Sequence, residues 1–195
     1  MHANSAILEI GRPKLFTLGA AVAVNAYGLL LVAPLFVAIL VVSLIKFSVL
    51  TVLIPFAVVA GTAYFLPFGG GNTHITRLVR SLGAASGKGG EGFIVQLTLS
   101  PRFRSGLRAI LEDADDIGYL TFEGNGLRFA GDSVKAFVPY ERIEAVRAEN
   151  SGLRGGFVYG RRIRVVVAGL PQAEWLEFTE RSSLLLPESR RITRE

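Results

Sequence analysis

Carboxylates crowd most closely in "LEDADDIG", where Glu112, Asp113, Asp115 and Asp116 fall within five positions. Neighbouring carboxylates can share a divalent cation or divide the roles of acid and base. Asp113, Asp115 and Gly118 fit three positions of a calcium-binding loop. However, Ile117 stands where an oxygen ligand belongs and Gly124 where the loop needs its bidentate Glu. The cluster is therefore expected to cap a turn, or to pair with Arg102, Arg104 and Arg108 of the same segment. "GKGGEG" sets Gly87, Gly89 and Gly92 at dinucleotide-motif spacing. That motif leaves a strand and enters a helix, whereas this stretch follows a Gly/Ser-rich segment and enters a strand, so it reads as a linker. His2 and His74 are the two histidines, and neither has a nearby Ser or Asp arrangement that suggests a triad. With no cysteine, disulfides, thiolate metal sites and Cys nucleophiles are excluded. These residues assign no catalytic group, metal ligand or cofactor.

Arginines are the better candidates for contacts. Arg102, Arg104 and Arg108 form one group, and Arg154, Arg161, Arg162 and Arg164 form another. The planar guanidinium fork suits phosphate and carboxylate through parallel charge-assisted hydrogen bonds. These seven are the candidate lipid or partner contacts, against the alternative that they pair with Asp113, Asp115, Asp116 or Glu149. The net charge of +5 is too mild to point to nucleic acid, and no basic strip is interleaved with aromatics.

The elements that must position these groups divide sharply. Leu15–Phe68 has no charged side chain apart from Lys46 and raises the mean hydropathy to +0.43. About 20 apolar residues cross a bilayer, so the run predicts two membrane helices, about 15–44 and 47–68, with Lys46 at the outer tip. Arg12 and Lys14 flank the first, and Arg77, Arg80 and Lys88 follow the second. Positive-inside counting then places both termini in the cytoplasm of a bacterial-type inner membrane. Residues 1–14 read as a cytoplasmic N-terminal segment, and 69–92 as a Gly/Ser-rich linker holding a short helix over Thr73–Leu82. That helix puts Ile75, Leu78, Val79 and Leu82 on one side, fit for a lipid surface or for an ordinary linker helix.

From residue 93 the period becomes two. "FIVQLTL", "GYLTFE", "GLRFAGD", "KAFVPY", "RIRVVVAGL" and "AEWLEFTE" read as strands, while "ERIEAVRA" is a short strand or a helical turn. "EGNG" signals a hairpin in which Asn125-Gly126 would tolerate positive φ. Trp175, alternating with Leu176 and Phe178, is expected inside. "LPESRRITRE" predicts a short helix opening at Pro187. Gly118, Gly126, Pro139, Tyr140, Ile143, Val146, Ile163 and Phe178 form a pattern that resembles the pleckstrin-homology-like fold, especially its GRAM-like and bacterial members. The resemblance covers residues 93–195. It implies a small antiparallel barrel of seven strands capped by a C-terminal helix, a binding function and no chemistry. The whole is thus expected to be a membrane helical hairpin followed by a β domain. Its expected role is binding or scaffolding at the inner membrane surface, in contact with anionic lipid or a partner protein, with self-association through the hairpin. The alternatives are a small subunit of a membrane transport complex and a metal-dependent enzyme using the Glu112–Asp116 carboxylates.

Overall fold

A computed structural model of the chain describes residues 5–23, 37–41, 45, 53, 57, 70–86, 92–101, 114–149, 162–183 and 186–193. In chain order the elements are β1 (Ile7–Ile10), α1 (Gly70–Ser86), β2 (Phe93–Ser100), β3 (Asp116–Glu123), β4 (Gly126–Gly131) and β5 (Val134–Pro139). A 3-10 turn at Tyr140–Arg142 leads into β6 (Ile143–Glu149), followed by β7 (Arg162–Val167), β8 (Trp175–Glu180) and α2 (Leu186–Ile192). All eight strands form one antiparallel sheet in the order β1-β5-β4-β3-β2-β8-β7-β6, curled into a half-barrel. The ambiguous "ERIEAVRA" divides between the 3-10 turn and β6.

Alternation sets the inner face. Val95, Leu97 and Leu99 of β2 join Phe129, Val138, Val165, Leu176 and Phe178 in the main core. Yet β2 is buried at six consecutive positions, Ile94 to Leu99. It lies at the middle of the sheet, and its outer face is covered as well. Ile94 packs with Ile75 and Val79 of α1. Gln96 accepts a hydrogen bond from Arg181 Nε at 2.7 Å, and Thr98 lies 3.5 Å from Arg162. The apolar side of α1 therefore packs on the sheet, with Ile75 and Val79 at 1% and 0% exposure. It is not turned toward a lipid surface.

At "EGNG", Glu123 pairs with Gly126, so the turn residues are Gly124 and Asn125. Positive φ among the described residues occurs elsewhere, at Gly92, Gly169 and Gln172. Gly126 is required for a different reason. A Cβ there would meet the Val138 carbonyl oxygen at 2.5 Å, because β4 and β5 approach closely.

The expected membrane hairpin is corrected. Among the described residues no helix is long and apolar enough to cross a membrane, and strands dominate the architecture. Much of the two expected spans, about 15–44 and 47–68, lies outside the described residues, as does Lys46. The multi-pass inner-membrane assignment, with both termini cytoplasmic, is corrected with it, since no described helix is fit to cross a membrane. The physical reason is visible where the apolar run begins. Phe16 is fully buried with Ile75, Val79, Ile94 and Ile117, and Ala20 packs against them. Burying a Phe contributes about 1.5–3 kcal/mol, so these residues serve the β domain's own packing. Asp132 Oδ2 accepts the backbone N–H groups of Lys14, Leu15 and Phe16 at 2.8, 2.9 and 2.8 Å. Residues 7–10, assigned by sequence to a separate N-terminal segment, are the edge strand beside β5.

Candidate ligand-binding groove

The half-barrel leaves a groove of about 630 Å³ on its concave side. β8, which lies between β2 and β7 in the sheet order, supplies the floor through Phe178 and Glu180. Phe93 and Val95 of β2, Leu120 and Phe122 of β3, and Leu127 of β4 form one wall. The opposite wall is Ile143 and Val146 of β6 with Ile163 and Val165 of β7. Ile192 and Thr193, at the end of α2, close one end.

Local structure holds the rim in place. The 3-10 turn carries Tyr140 to the groove, and its N–H donates to the Asn125 carbonyl at 3.1 Å, tying the turn to the β3–β4 hairpin. Phe93 and Phe122 meet edge to face, with ring centroids 5.9 Å apart. Despite this order, Phe122 and Val146 are 62% and 60% exposed, and Phe93 and Tyr140 are 47% and 43% exposed. Four large apolar side chains around one cavity form a contiguous patch, unlike singly scattered surface hydrophobics. Beside the hairpin, Arg128 is ion-paired with Glu123, whose hydrogen bond raises the guanidinium above its ordinary pKa against the opposing effect of burial.

Neither a family model, nor a curated protein, nor a solved structure matches this chain.

Glu180 interrupts the apolar lining. It is 4% exposed. Its Oε1 accepts from the backbone N–H and the hydroxyl of Ser182, whereas its buried Oε2 has no hydrogen-bond partner among the described residues. The Glu180 N–H reaches Thr193 Oγ1 at 3.4 Å, and the Thr193 hydroxyl donates to the Ser189 carbonyl at 2.8 Å. Thr193 is thus occupied by backbone partners, which also fix the end of α2 beside the groove.

The residues singled out by sequence are placed differently. Arg102, Arg104, Arg108, Arg154 and Arg161 lie outside the described residues, as do Glu112 and Asp113. Arg162 is 2% exposed and pairs with Glu177 Oε1 at 3.1 Å. Arg164 pairs with Glu177 Oε2 at 3.3 Å and with Glu149 at 2.6 Å. Both forks are therefore engaged with carboxylates on the outer face. Trp175 is half-buried on that same face, with the Arg164 guanidinium 4.2 Å from its ring centroid, rather than inside the barrel. Asp115 and Asp116 are buried. Asp115 Oδ2 accepts the Leu99 N–H at 2.8 Å, and Asp116 Oδ2 accepts the Ser133 and Val134 N–H groups at 2.8 and 2.6 Å. Asp116 thus organises the turn between β4 and β5, whereas Asp115 binds the backbone of β2.

Sequence reasoning did not single out Glu180, although the signal was present. In "EWLEFTE", Leu176, Phe178 and Glu180 share one parity, so a carboxylate follows two core residues on the inner face. Of the eight residues that carry the family resemblance, five line the groove: Tyr140, Ile143, Val146, Ile163 and Phe178.

Proposed function

We propose that this chain is a non-catalytic binding protein of pleckstrin-homology-like type, whose concave groove holds an apolar ligand. The carrying observation is the half-open groove of about 630 Å³ with an apolar lining and an exposed aromatic rim. That volume falls within the roughly 300–1,000 Å³ common for small-molecule sites. Covering the rim removes apolar surface from water, at about 25 cal/mol per Å². The finer family reading draws support from element order. A four-strand meander, β2 to β5, precedes a three-strand meander, β6 to β8, and a C-terminal helix, with β1 added at one edge.

The test is photolabelling of the full-length chain with a neutral alkyl diazirine, mapped by peptide mass spectrometry. Label is expected on the peptides carrying Phe93, Phe122 and Val146. Val146→Glu places a charge on an exposed rim position and should reduce that labelling about threefold or more, because a buried charge without a partner opposes apolar occupancy. Labelling confined to other segments, or unchanged in Val146→Glu, would refute the reading.

A further inference from the structure

Glu180 gives the groove a chemical preference. Its carboxylate sits on the inner face after Leu176 and Phe178, at the end closed by Ile192 and Thr193. One oxygen is satisfied by Ser182, while Oε2 is buried with no partner among the described residues. A buried acceptor without a donor is costly, and a buried charge without a counter-charge more so. Among the described residues, the lining contributes no Lys, Arg or His. Thr193 cannot supply the missing proton, because its hydroxyl already donates to Ser189. A ligand that brings its own donor and positive charge satisfies both requirements at once, and its apolar body covers the aromatic rim.

Building on the groove as the binding site, we propose that it selects an amphiphilic amine, with an alkyl or aryl body and its ammonium seated against Glu180 Oε2. Taking about 30 Å³ for each water-sized group, the groove of about 630 Å³ accommodates roughly twenty non-hydrogen atoms. A decyl chain with its head group fits within this limit. A fatty acid would bring a second anion to Glu180, and an alcohol would bring a donor without charge.

Decylamine, decanol and decanoate, each below its micellar concentration, are competed against the neutral diazirine on the full-length chain. Decylamine is expected to suppress groove labelling at about a tenfold lower concentration than decanol, as befits a charge-assisted hydrogen bond. Decanoate should be weakest. In Glu180→Gln, with competition scored against that variant's own uncompeted labelling, decylamine loses its advantage over decanol. Equal competition by the three compounds in the native chain, or preference for decanol or decanoate, overturns the amine proposal and leaves groove binding standing. Retention of the amine advantage in Glu180→Gln overturns the role of Glu180. No groove labelling by the diazirine overturns the underlying binding reading as well. The native-chain comparison needs no variant to fold.

Discussion

Glu177→Gln removes the negative charge shared by Arg162 and Arg164 and takes from the buried Arg162 the carboxylate it contacts. Arg162 and Glu177 are 2% and 1% exposed, and their contact is 3.1 Å. Removing one partner of such a pair costs about 3–5 kcal/mol, chiefly through the uncompensated charge left behind. Arg164 is less affected, because it keeps Glu149 at 2.6 Å and its side chain is 23% exposed. The replacement amide still offers an oxygen to accept a hydrogen bond, which places the expected loss near the lower end, at about 3 kcal/mol. That is more than a hundredfold in the folding equilibrium, at about 1.4 kcal/mol per factor of ten. Urea unfolding of the purified chain, followed by far-ultraviolet circular dichroism, measures the loss. Because the pair is shielded from solvent, the loss should change little between about 0.05 and 0.5 M salt. The double variant Arg162→Met/Glu177→Leu, which removes both charges, should return to within about 1 kcal/mol of the native chain. The reasoning is refuted if Glu177→Gln loses less than about 1 kcal/mol, or if the double variant is as unstable as the single one.

Three further outcomes follow from the same geometry. Asp132→Ala deprives three backbone N–H groups of a charged acceptor, costing about 1–3 kcal/mol; hydrogen exchange should accelerate at Lys14–Phe16 and β1, with β7 and β8 unchanged. Gly118→Ala would bring a Cβ to 2.3 Å from the Ala130 carbonyl oxygen and 2.6 Å from Gly131 Cα. Forcing β3 and β4 apart should cost about 1–3 kcal/mol, read as a lowered Tm. Arg128→Ala breaks an exposed ion pair with Glu123 and should cost less than about 1 kcal/mol, a difference that shrinks as salt rises.

Much of the β architecture was legible because a strand buried on one face writes its orientation into alternate residues. "GLRFAGD" shows this at β4, where Leu127 and Phe129 are buried and Arg128 and Ala130 exposed. "FIVQLTL" also read as a strand, but alternation could not show that Gln96 and Thr98 are buried too. Their burial depends on Arg181 and Arg162, which arrive from distant positions in the chain. The helix over Thr73–Leu82 was found from its apolar side, and the structure extends it to Gly70–Ser86. Periodicity marks an apolar side without naming what it meets, so lipid and sheet were equally compatible with Ile75 and Val79. Hydropathy misled at Phe16 for the same reason. A window average registers apolar content, but not that a carboxylate at Asp132 draws the adjoining backbone onto the sheet.

By itself the sequence determined local matters: strand positions from residue 93 on, the alternation of faces along them, and a carboxylate at Glu180 in phase with Leu176 and Phe178. Tertiary structure decided which of these faces meet. It placed residues 7–10 beside β5, engaged Asp115 and Asp116 with backbone N–H groups, and turned Arg162 and Arg164 toward Glu177. It also brought the inward residues of β2, β3, β4, β6, β7 and β8 around one cavity, with a carboxylate oxygen at its end that has no partner among the described residues. The division has a physical cause. Side-chain direction along a strand follows from its own backbone geometry, whereas a groove or a buried ion pair exists only between segments far apart in the chain.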